Sequence, residues 1–299
     1  MIEQQHQNVS YLQFHHYQQF PTLIHGIFTR QGGFSQAPYQ GLNTLGSLSG
    51  GDKLDNVIRN RQLVLQALNL HDHPCATLWN IHGADVKIYN SREHWRTDWA
   101  SHSYYETPWQ PESIRQGDAI ITQERGVAMA LSFADCTPIL LYDPIEQVGG
   151  IAHGGWRGTA RGVVFATIEA MYKRFGSLPS NIYAGIGPTI GECCYETTQQ
   201  VQEIFTGQRH FDEMPTHEHY RELVRESVVF STLELPERMS LRLNLEETNR
   251  RQLLMAGLRS ENIEVSGICT SCHKDRFFSH RAEHGRTGRF PTVVALKNE

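Results

Sequence analysis

The amino-acid sequence predicts an α+β fold in a single domain. Short apolar runs that end at glycine turns are typical of buried strands, and other stretches repeat apolar residues at helical spacing. No internal repeat or break in composition divides the 299 residues, which are enough to bury a sizeable core. Residues 1–21 have little periodicity and are predicted to form an irregular arm or an edge strand. The main domain is therefore expected to span residues 22–299.

The elements are predicted in order along the chain from these patterns. The first strand begins at Leu23, and a helix capped by Asp52 runs to Leu68. A second strand is predicted to end at residue 82. Further strands are predicted to span residues 117–122, 127–133, 139–141, 148–152, 182–186, 263–268 and 292–297. Further helices are predicted over 163–175, 197–206 and 244–259. Two stretches are polar and weakly patterned, 207–238 and 90–117, and the second is interpreted as a long surface excursion that forms a lid or an interface.

Composition and charge exclude several classes of protein. With 39% apolar and 20% charged residues, the chain has the composition of an ordinary globular protein. Its net charge of -5 argues against a surface built for nucleic acid. There is no apolar run of membrane-spanning length, and the N-terminus lacks the pattern of a signal peptide. We therefore expect a cytoplasmic protein with no membrane or nucleic-acid partner, whose oligomeric state stays open.

Three reactive side chains, His82, Cys136 and His153, lie at the ends of separate predicted core strands beside glycine turns. If strands 127–133 and 148–152 are neighbours, Cys136 and His153 share one rim. Two imidazoles and a thiolate suit zinc and leave a fourth position for water or substrate. Spacing alone does not show that they meet, and Cys136 with a histidine base would also suit a thiol enzyme.

Asp135 precedes Cys136, and three roles are open to its carboxylate. It could orient a ligating histidine, act as a general base, or cap the next turn.

Arginines beside glycine turns suggest anion sites as well. Arg61 lies on the apolar stripe of its helix, where it either pairs with a buried carboxylate or points toward a site. The other arginines of this kind are Arg30, Arg157 and a cluster of Arg281, Arg286 and Arg289.

Six cysteines in a chain of this length do not suggest a disulfide framework. Cys193 and Cys194 are adjacent and would rarely bridge each other. Cys269 and Cys272 have the spacing of metal ligands, but a second Cys or His pair at matching spacing is missing. A structural zinc site at this pair is therefore not favoured.

Taken together, the motifs resemble those of the YfiH-like, laccase-domain purine nucleoside phosphorylase family, and they run in order from about residue 22 to 297. The matching positions are Thr29-Arg30-x-Gly32-Gly33-x-Ser35, Gly41-Leu42-Asn43, Asn60-Arg61, His82-Gly83-x-Asp85-Val86, Ala134-Asp135-Cys136-x-Pro138, His153-x-Gly155-Trp156-Arg157-Gly158, Gly187-Pro188-x-Ile190-Gly191, Cys269-Thr270, Phe278-Ser279-x-Arg281 and Thr287-Gly288-Arg289. The chain departs from the family at Asn80, His280 and Ala282, where Gln, Tyr and Arg are usual.

The resemblance implies mixed β-sheets with helices packed outside, in one α+β domain, and zinc held by His82, Cys136 and His153. It implies phosphorolysis of adenosine, inosine and guanosine to free base and ribose 1-phosphate, with adenosine deamination as a related activity. Members are also described as copper-dependent polyphenol oxidases, so copper is the alternative metal. The implied catalytic residues are His82, Asp135 and Cys136, and the implied substrate and phosphate ligands are Arg30, Asn43, Arg61, Arg157 and Arg281.

Overall fold

The computed structural model describes residues 1–45, 51–93, 95, 97–101, 115–211 and 217–298. The strands are β1 (Ile2–His6), β2 (Val9–Gln13), β3 (Leu23–Phe28), β4 (Cys75–Ala76), β5 (Val86–Ile88), β6 (Ala119–Thr122), β7 (Ala128–Phe133), β8 (Thr137–Asp143), β9 (Val148–Gly154), β10 (Tyr183–Ile186), β11 (Phe230–Leu235), β12 (Arg238–Leu243), β13 (Ile263–Val265) and β14 (Phe290–Leu296). The helices are α1 (Leu54–Ala67), α2 (Trp156–Ala160), α3 (Val163–Phe175), α4 (Gln199–Phe205), α5 (Arg221–Ser227) and α6 (Leu245–Met255). In this described part of the chain, every helix is too short or too polar to cross a membrane.

Two six-stranded sheets form the centre of the molecule. The first has the order β1-β2-β3-β14-β7-β4, and its neighbours are antiparallel except for the parallel pair β4 and β7. The second has the order β13-β10-β8-β9-β6-β5 and contains the hairpin of β8 and β9. Strands β11 and β12 form a separate two-stranded hairpin. Both large sheets are mixed, because each also contains a parallel pair at an edge.

Side-chain alternation along β7 shows how the layers pack. Met129 and Leu131 point into the core between the two sheets, whereas Ala128 and Ala130 point to the opposite face, which α1 covers. The outer face of the second sheet carries another core, to which α3 and α6 contribute. The layers are therefore helix, sheet, sheet and helices, which confirms the predicted α+β class of mixed sheets with helices outside.

The N-terminal segment belongs to this sandwich and is not an irregular arm. Strands β1 and β2 form the edge of the first sheet, which is the edge-strand alternative of the prediction. The buried Tyr17 hydroxyl then donates to the carbonyl oxygen of Leu140 in the second sheet, over 2.8 Å. Residues before 22 therefore connect the two sheets.

Several predicted boundaries are confirmed and others are wrong. Helix α3 ends at Gly176, whose φ of 77° is a left-handed conformation that glycine adopts without strain. The predicted cap of α6 is present, because the Asn244 side chain accepts from the backbone N–H of Glu247. The N-cap of α1 is Lys53 and not Asp52. The stretch 207–238, predicted as polar and weakly patterned, contains α5 and β11, in which few side chains are buried.

The predicted surface excursion at 90–117 is only partly described. Residues 94, 96 and 102–114 lie outside the described residues, so a lid or interface there stays a prediction. The described part includes Trp99, which is buried in the core beside α1. Residues 46–50 of the glycine-rich loop also lie outside the described residues.

Candidate metal centre and its cavity

The three predicted ligands come together at one end of the sandwich. One ligand atom each of His82, Cys136 and His153 lies within 4.8 Å of the other two. Cys136 immediately precedes β8, and β8 pairs with β9 so that Pro138 lies opposite His153. The predicted route was wrong in one respect: β7 and β9 are not neighbours but belong to different sheets. It is the turn from β7 into β8 that carries Cys136 from one sheet to the other.

Asp118, which the sequence analysis did not identify, fixes both histidines. The Asp118 carboxylate is fully buried and accepts from the backbone N–H groups of His82 and Gly83, at 2.9 and 2.6 Å. One of its oxygens lies 3.5 Å from Nδ1 of His153. A carboxylate behind a ligating histidine sets the orientation of the ring and leaves Nε2 to face the ligand cluster. An acid directly before a short strand was the only sequence signal for this role.

Backbone conformation also holds the cluster in place. His82 has a φ of 57° and Asp135 a φ of 81°, which are left-handed values that non-glycine residues rarely adopt. Such residues are found where the surrounding hydrogen bonds over-determine the backbone, often at functional sites. Gly155 packs against all three ligands, because a Cβ there would lie 3.0 Å from Cys136 Sγ and 3.3 Å from His82 Nδ1.

The electrostatics of the cluster favour a thiolate. Burial opposes ionisation of Cys136, but the adjacent imidazoles of His153 and His82 outweigh it and lower the pKa of Cys136 to about 6. Burial also opposes protonation of His153, yet Cys136 and Asp118 raise the pKa of His153 to about 9. Two imidazoles and a thiolate at these separations are a donor set that zinc accepts, and binding it would release the proton held by the pair.

Asp135 is held in a structural network beside the cluster. One carboxylate oxygen accepts from the Thr270 hydroxyl at 2.6 Å, and the other accepts from the backbone N–H of Arg281 at 2.7 Å. Its carbonyl oxygen accepts from the Ile190 backbone. This geometry favours a fourth role besides the three that the sequence left open. In this role, Asp135 positions the segments around it.

The ligand cluster opens into a cavity of about 450 Å³. Aromatic side chains supply much of its wall, and Leu78, Ile190 and Leu245 add apolar surface. Sequence reasoning noted neither Trp99 nor Tyr195 as site residues, because single aromatics carry no motif. The aromatic residues of the wall are Trp79, Trp99, Trp156 and Tyr195.

Of the five substrate and phosphate ligands that the resemblance implies, three line this cavity: Arg61, Arg157 and Arg281. The Arg61 guanidinium is buried and donates to the carbonyl oxygens of Thr44 and Trp99, and the residue also lines the cavity. Arg281 donates to the Glu196 carbonyl oxygen. Arg157 is exposed and stacks on Trp156, with 4.5 Å between the guanidinium carbon and the ring centroid.

The other two predicted ligands lie outside the cavity wall. Arg30 pairs with Glu283 at 2.9 Å and donates to the carbonyl oxygens of Lys274 and Gln40. Asn43 is fully buried and accepts from the backbone N–H of Arg289, a residue that does line the cavity. Asn43 therefore supports the wall from behind, and neither side chain is placed to contact a ligand in the cavity.

The prediction that Cys269 and Cys272 lack a partner pair was wrong. Cys269 and Cys272 do have a partner pair, because Cys193 and Cys194 bring their sulfur atoms within 4.8 Å of them. The partner pair was missed because it is adjacent in sequence and does not have the spacing of a Cys-x-x-Cys. All four are free thiols.

The similarity of this chain to known proteins agrees with the predicted fold class and with the predicted family resemblance. Residues 24–297 match the family described as "Multi-copper polyphenol oxidoreductase laccase". The purine nucleoside phosphorylase YlmD of Bacillus subtilis is 31% identical over 277 residues, which cover 92% of this chain and 89% of that protein. The protein of the same name from Geobacillus stearothermophilus is 34% identical over 282 residues, which cover 94% and 92%.

Among solved structures, the Bacillus licheniformis hypothetical protein YfiH superposes with a TM-score of 0.76 at 32% identity, with 97% of both chains covered. The predicted resemblance is confirmed by these matches, which extend over nearly the whole chain. This chain belongs to the family described as multi-copper polyphenol oxidoreductase laccase.

Proposed function

We propose that this protein is a zinc-dependent purine nucleoside phosphorylase that converts adenosine, inosine and guanosine to free base and ribose 1-phosphate. The observation that carries the proposal is the shared cavity, in which the His82–Cys136–His153 cluster and the guanidinium of Arg157 line one space. Relatives named purine nucleoside phosphorylase support it. Six free thiols fit the reducing cytoplasm in which we expect the protein.

The walls of the cavity suit a purine. Trp156 and Tyr195 line the cavity with aromatic side chains, against which a flat base can pack. Oδ1 of Asn80 is buried and makes no hydrogen bond within the described residues, so it is available to accept an N–H of the base. Because this amide replaces the Gln that is usual in the family, we expect Asn80 to influence which nucleoside is preferred.

We expect phosphate to bind beside Arg157 and Arg281, which line the cavity. Arg157 makes no hydrogen bond with other described residues through its guanidinium, which leaves its donors for an anion. Arg281 also lines the cavity, and its backbone N–H donates to the Asp135 carboxylate. Two guanidinium groups can neutralise the dianion and fix its orientation.

In the proposed reaction a phosphate oxygen attacks the anomeric carbon of the ribose while the bond to the purine nitrogen breaks. The base leaves with the electron pair of that bond and takes up a proton. Arg157 and Arg281 hold the phosphate, and the aromatic walls hold the nucleoside at reacting distance. When bound by His82, Cys136 and His153, zinc would supply Lewis-acid polarisation of a nearby oxygen. Attack of water on purine C6 of adenosine, with the exocyclic amino group leaving as ammonia, would give inosine by deamination as a side activity.

Product analysis tests this proposal. Incubation with inosine should release hypoxanthine and ribose 1-phosphate only when phosphate is present. Arg157→Ala should raise the KM for phosphate, whereas Arg59→Ala, which removes another arginine stacked on an aromatic ring away from the cavity, should not. Equal release of base with and without phosphate would identify a hydrolase and contradict the proposal.

One observation favours a second candidate, a thiol hydrolase with Cys136 as nucleophile. The pKa of Cys136 is lowered to about 6 beside His153, which is the arrangement of an activated thiol. A nucleophile and a ligand respond differently to Cys136→Ser. The hydrolase should keep its metal content and lose activity, whereas a zinc ligand should lose both, which elemental analysis with the nucleoside assay will separate.

The copper oxidase named in the family description remains the other alternative. Reduction of oxygen by four electrons uses several copper ions with many histidine ligands. Of the two clusters found in the described residues, one contains two histidines and the other none. Copper in the purified protein, with phenol oxidation and no hypoxanthine released, would overturn the phosphorylase proposal.

A further inference from the structure

Four cysteines from two segments that are distant in sequence meet in one cluster. Cys193 and Cys194 follow β10, and Cys269 and Cys272 follow β13. The Cys272 sulfur lies 3.5 Å from the sulfur of Cys193 and 3.4 Å from that of Cys194. All four sulfur atoms lie within 4.8 Å of one another. The cluster shares no residue with the His82–Cys136–His153 centre.

These separations are those of ligands around one ion. Zinc–sulfur bonds of about 2.3 Å in a tetrahedron place sulfur atoms about 3.8 Å apart. A disulfide requires a sulfur–sulfur distance of about 2.05 Å, which none of the thiols approaches. The cluster therefore needs only small movements to accept a tetrahedral ion.

The surroundings of the sulfurs suit a negatively charged centre. The backbone N–H of Gly191 donates to Sγ of Cys269 at 3.1 Å, as amides do toward thiolate ligands. A Cβ on Gly191 would lie 3.2 Å from Cys193 Sγ, so the absence of a side chain lets this loop close on the cluster. The Arg242 guanidinium donates to the Cys193 carbonyl oxygen and adds positive charge nearby.

We propose that Cys193, Cys194, Cys269 and Cys272 bind a second zinc ion as a tetrathiolate. Four soft sulfur donors that can surround one ion tetrahedrally favour zinc or iron among common metals. Zinc is the ion usually bound at structural sites of this kind. Four protein ligands leave no open position for a substrate, so this ion is structural. The proposal is independent of the reaction at the first centre.

The second zinc would clamp two segments that build the cavity wall. Ile190 and Tyr195 lie on the segment of the first cysteine pair, and Arg281 follows the second pair. Both segments also bind Asp135, through the backbone N–H groups of Ile190 and Arg281. The four cysteines are thus positioning residues, because they act on the cavity through these segments.

Thiol protection in the wild-type protein tests the proposal directly. The protein is loaded with zinc under reducing, anaerobic conditions, treated with iodoacetamide and mapped by peptide mass spectrometry. Cys193 and Cys272 are exposed side chains and should still resist alkylation until a chelator is added. The buried Cys75 is the internal control and should resist in both arms until the protein is unfolded.

Metal content assigns the ions to the two sites. Wild-type protein should hold two equivalents of zinc, and His82→Ala and Cys193→Ser/Cys272→Ser should each lose one. X-ray absorption of the His82→Ala protein should show four sulfur neighbours around the remaining zinc, at about 2.3 Å. The alkylation experiment uses the wild-type chain. It therefore still tests the four-cysteine site if the double variant folds poorly.

Three results would overturn the proposal. The four thiols could react freely in zinc-loaded protein, or they could stay protected after the chelator is added, which would show that no metal protects them. The His82→Ala protein could also retain no zinc after loading. None of these results changes the expected zinc at His82, Cys136 and His153 or the phosphate-dependent release of base, so the two proposals fail separately.

Discussion

At the scale of single residues, Asp118 connects the two histidines of the candidate metal centre. Its carboxylate accepts from the backbone at His82 and Gly83 and lies beside Nδ1 of His153. Removing its negative charge should leave His82 in its turn less firmly held and His153 less basic. Both changes weaken a metal site without removing a ligand.

We predict that Asp118→Asn lowers zinc affinity by about 10- to 100-fold, as changes behind ligating histidines commonly do. The affinity is measured by competition with a chelator of known strength. Asp143→Asn is the matched control, because Asp143 is also fully buried and also accepts from two backbone N–H groups, in the turn at the other end of β8. The control should lose stability and keep its zinc affinity. Equal zinc affinity in both variants would show that Asp118 has no part in the metal site.

At the scale of elements, α6 supports the helix that carries the cavity wall. The Gln252 side chain donates to the carbonyl oxygen of Thr159, and the Thr159 hydroxyl donates to Asn249. Thr159 belongs to α2, whose first two residues are Trp156 and Arg157. Helix α2 has only five residues and depends on such packing, because a helix of that length is not stable by itself.

We predict that Asn244→Ala destabilises the protein by about 1 kcal/mol, because it removes the side-chain cap of α6. Asn244→Ser, which keeps a capping oxygen, should recover most of the loss. Chemical unfolding curves give the free energies. If the two variants were equally unstable, the contact of Asn244 with Glu192 would explain the loss better than the cap.

At the scale of the whole molecule, the seam between the sheets near the N-terminal strands contains a buried histidine. Burial lowers the pKa of His25 to about 3, and its Nε2 accepts from the backbone N–H of Phe14. The folded state therefore keeps His25 neutral, whereas the unfolded chain protonates it below about pH 6.5. The resulting stability is complete above that pH and is lost progressively as the pH falls toward 3.

We predict that wild-type protein loses stability between pH 6.5 and 4 more steeply than His25→Gln, by about 1.4 kcal/mol per pH unit for the one proton. Unfolding free energies of the metal-free proteins are compared across this range. His71→Gln replaces an exposed histidine and should leave the slope unchanged. Parallel slopes for wild type and His25→Gln would refute the assignment.

Local pattern was enough to predict many elements and the types of ligand. Periodicity located α3 and its end at Gly176, and Asn244 with Glu247 indicated the cap of α6. Periodicity reports the conformation of a segment and the face that it buries, so elements with long patterns were found. The short α5 and β11 were missed because most of their side chains are exposed or half-buried, so neither segment has a clear apolar pattern.

The sequence by itself was enough to predict the fold class, the family and the candidate metal ligands His82, Cys136 and His153. Residue type and order along the chain carry that information. Only the tertiary structure decided which distant side chains meet. It placed Asp118 behind the histidines, joined Cys193 and Cys194 to Cys269 and Cys272, and left Arg30 outside the cavity. The physical reason is that such distances depend on how the strands pair and the two sheets pack, which no local spacing encodes.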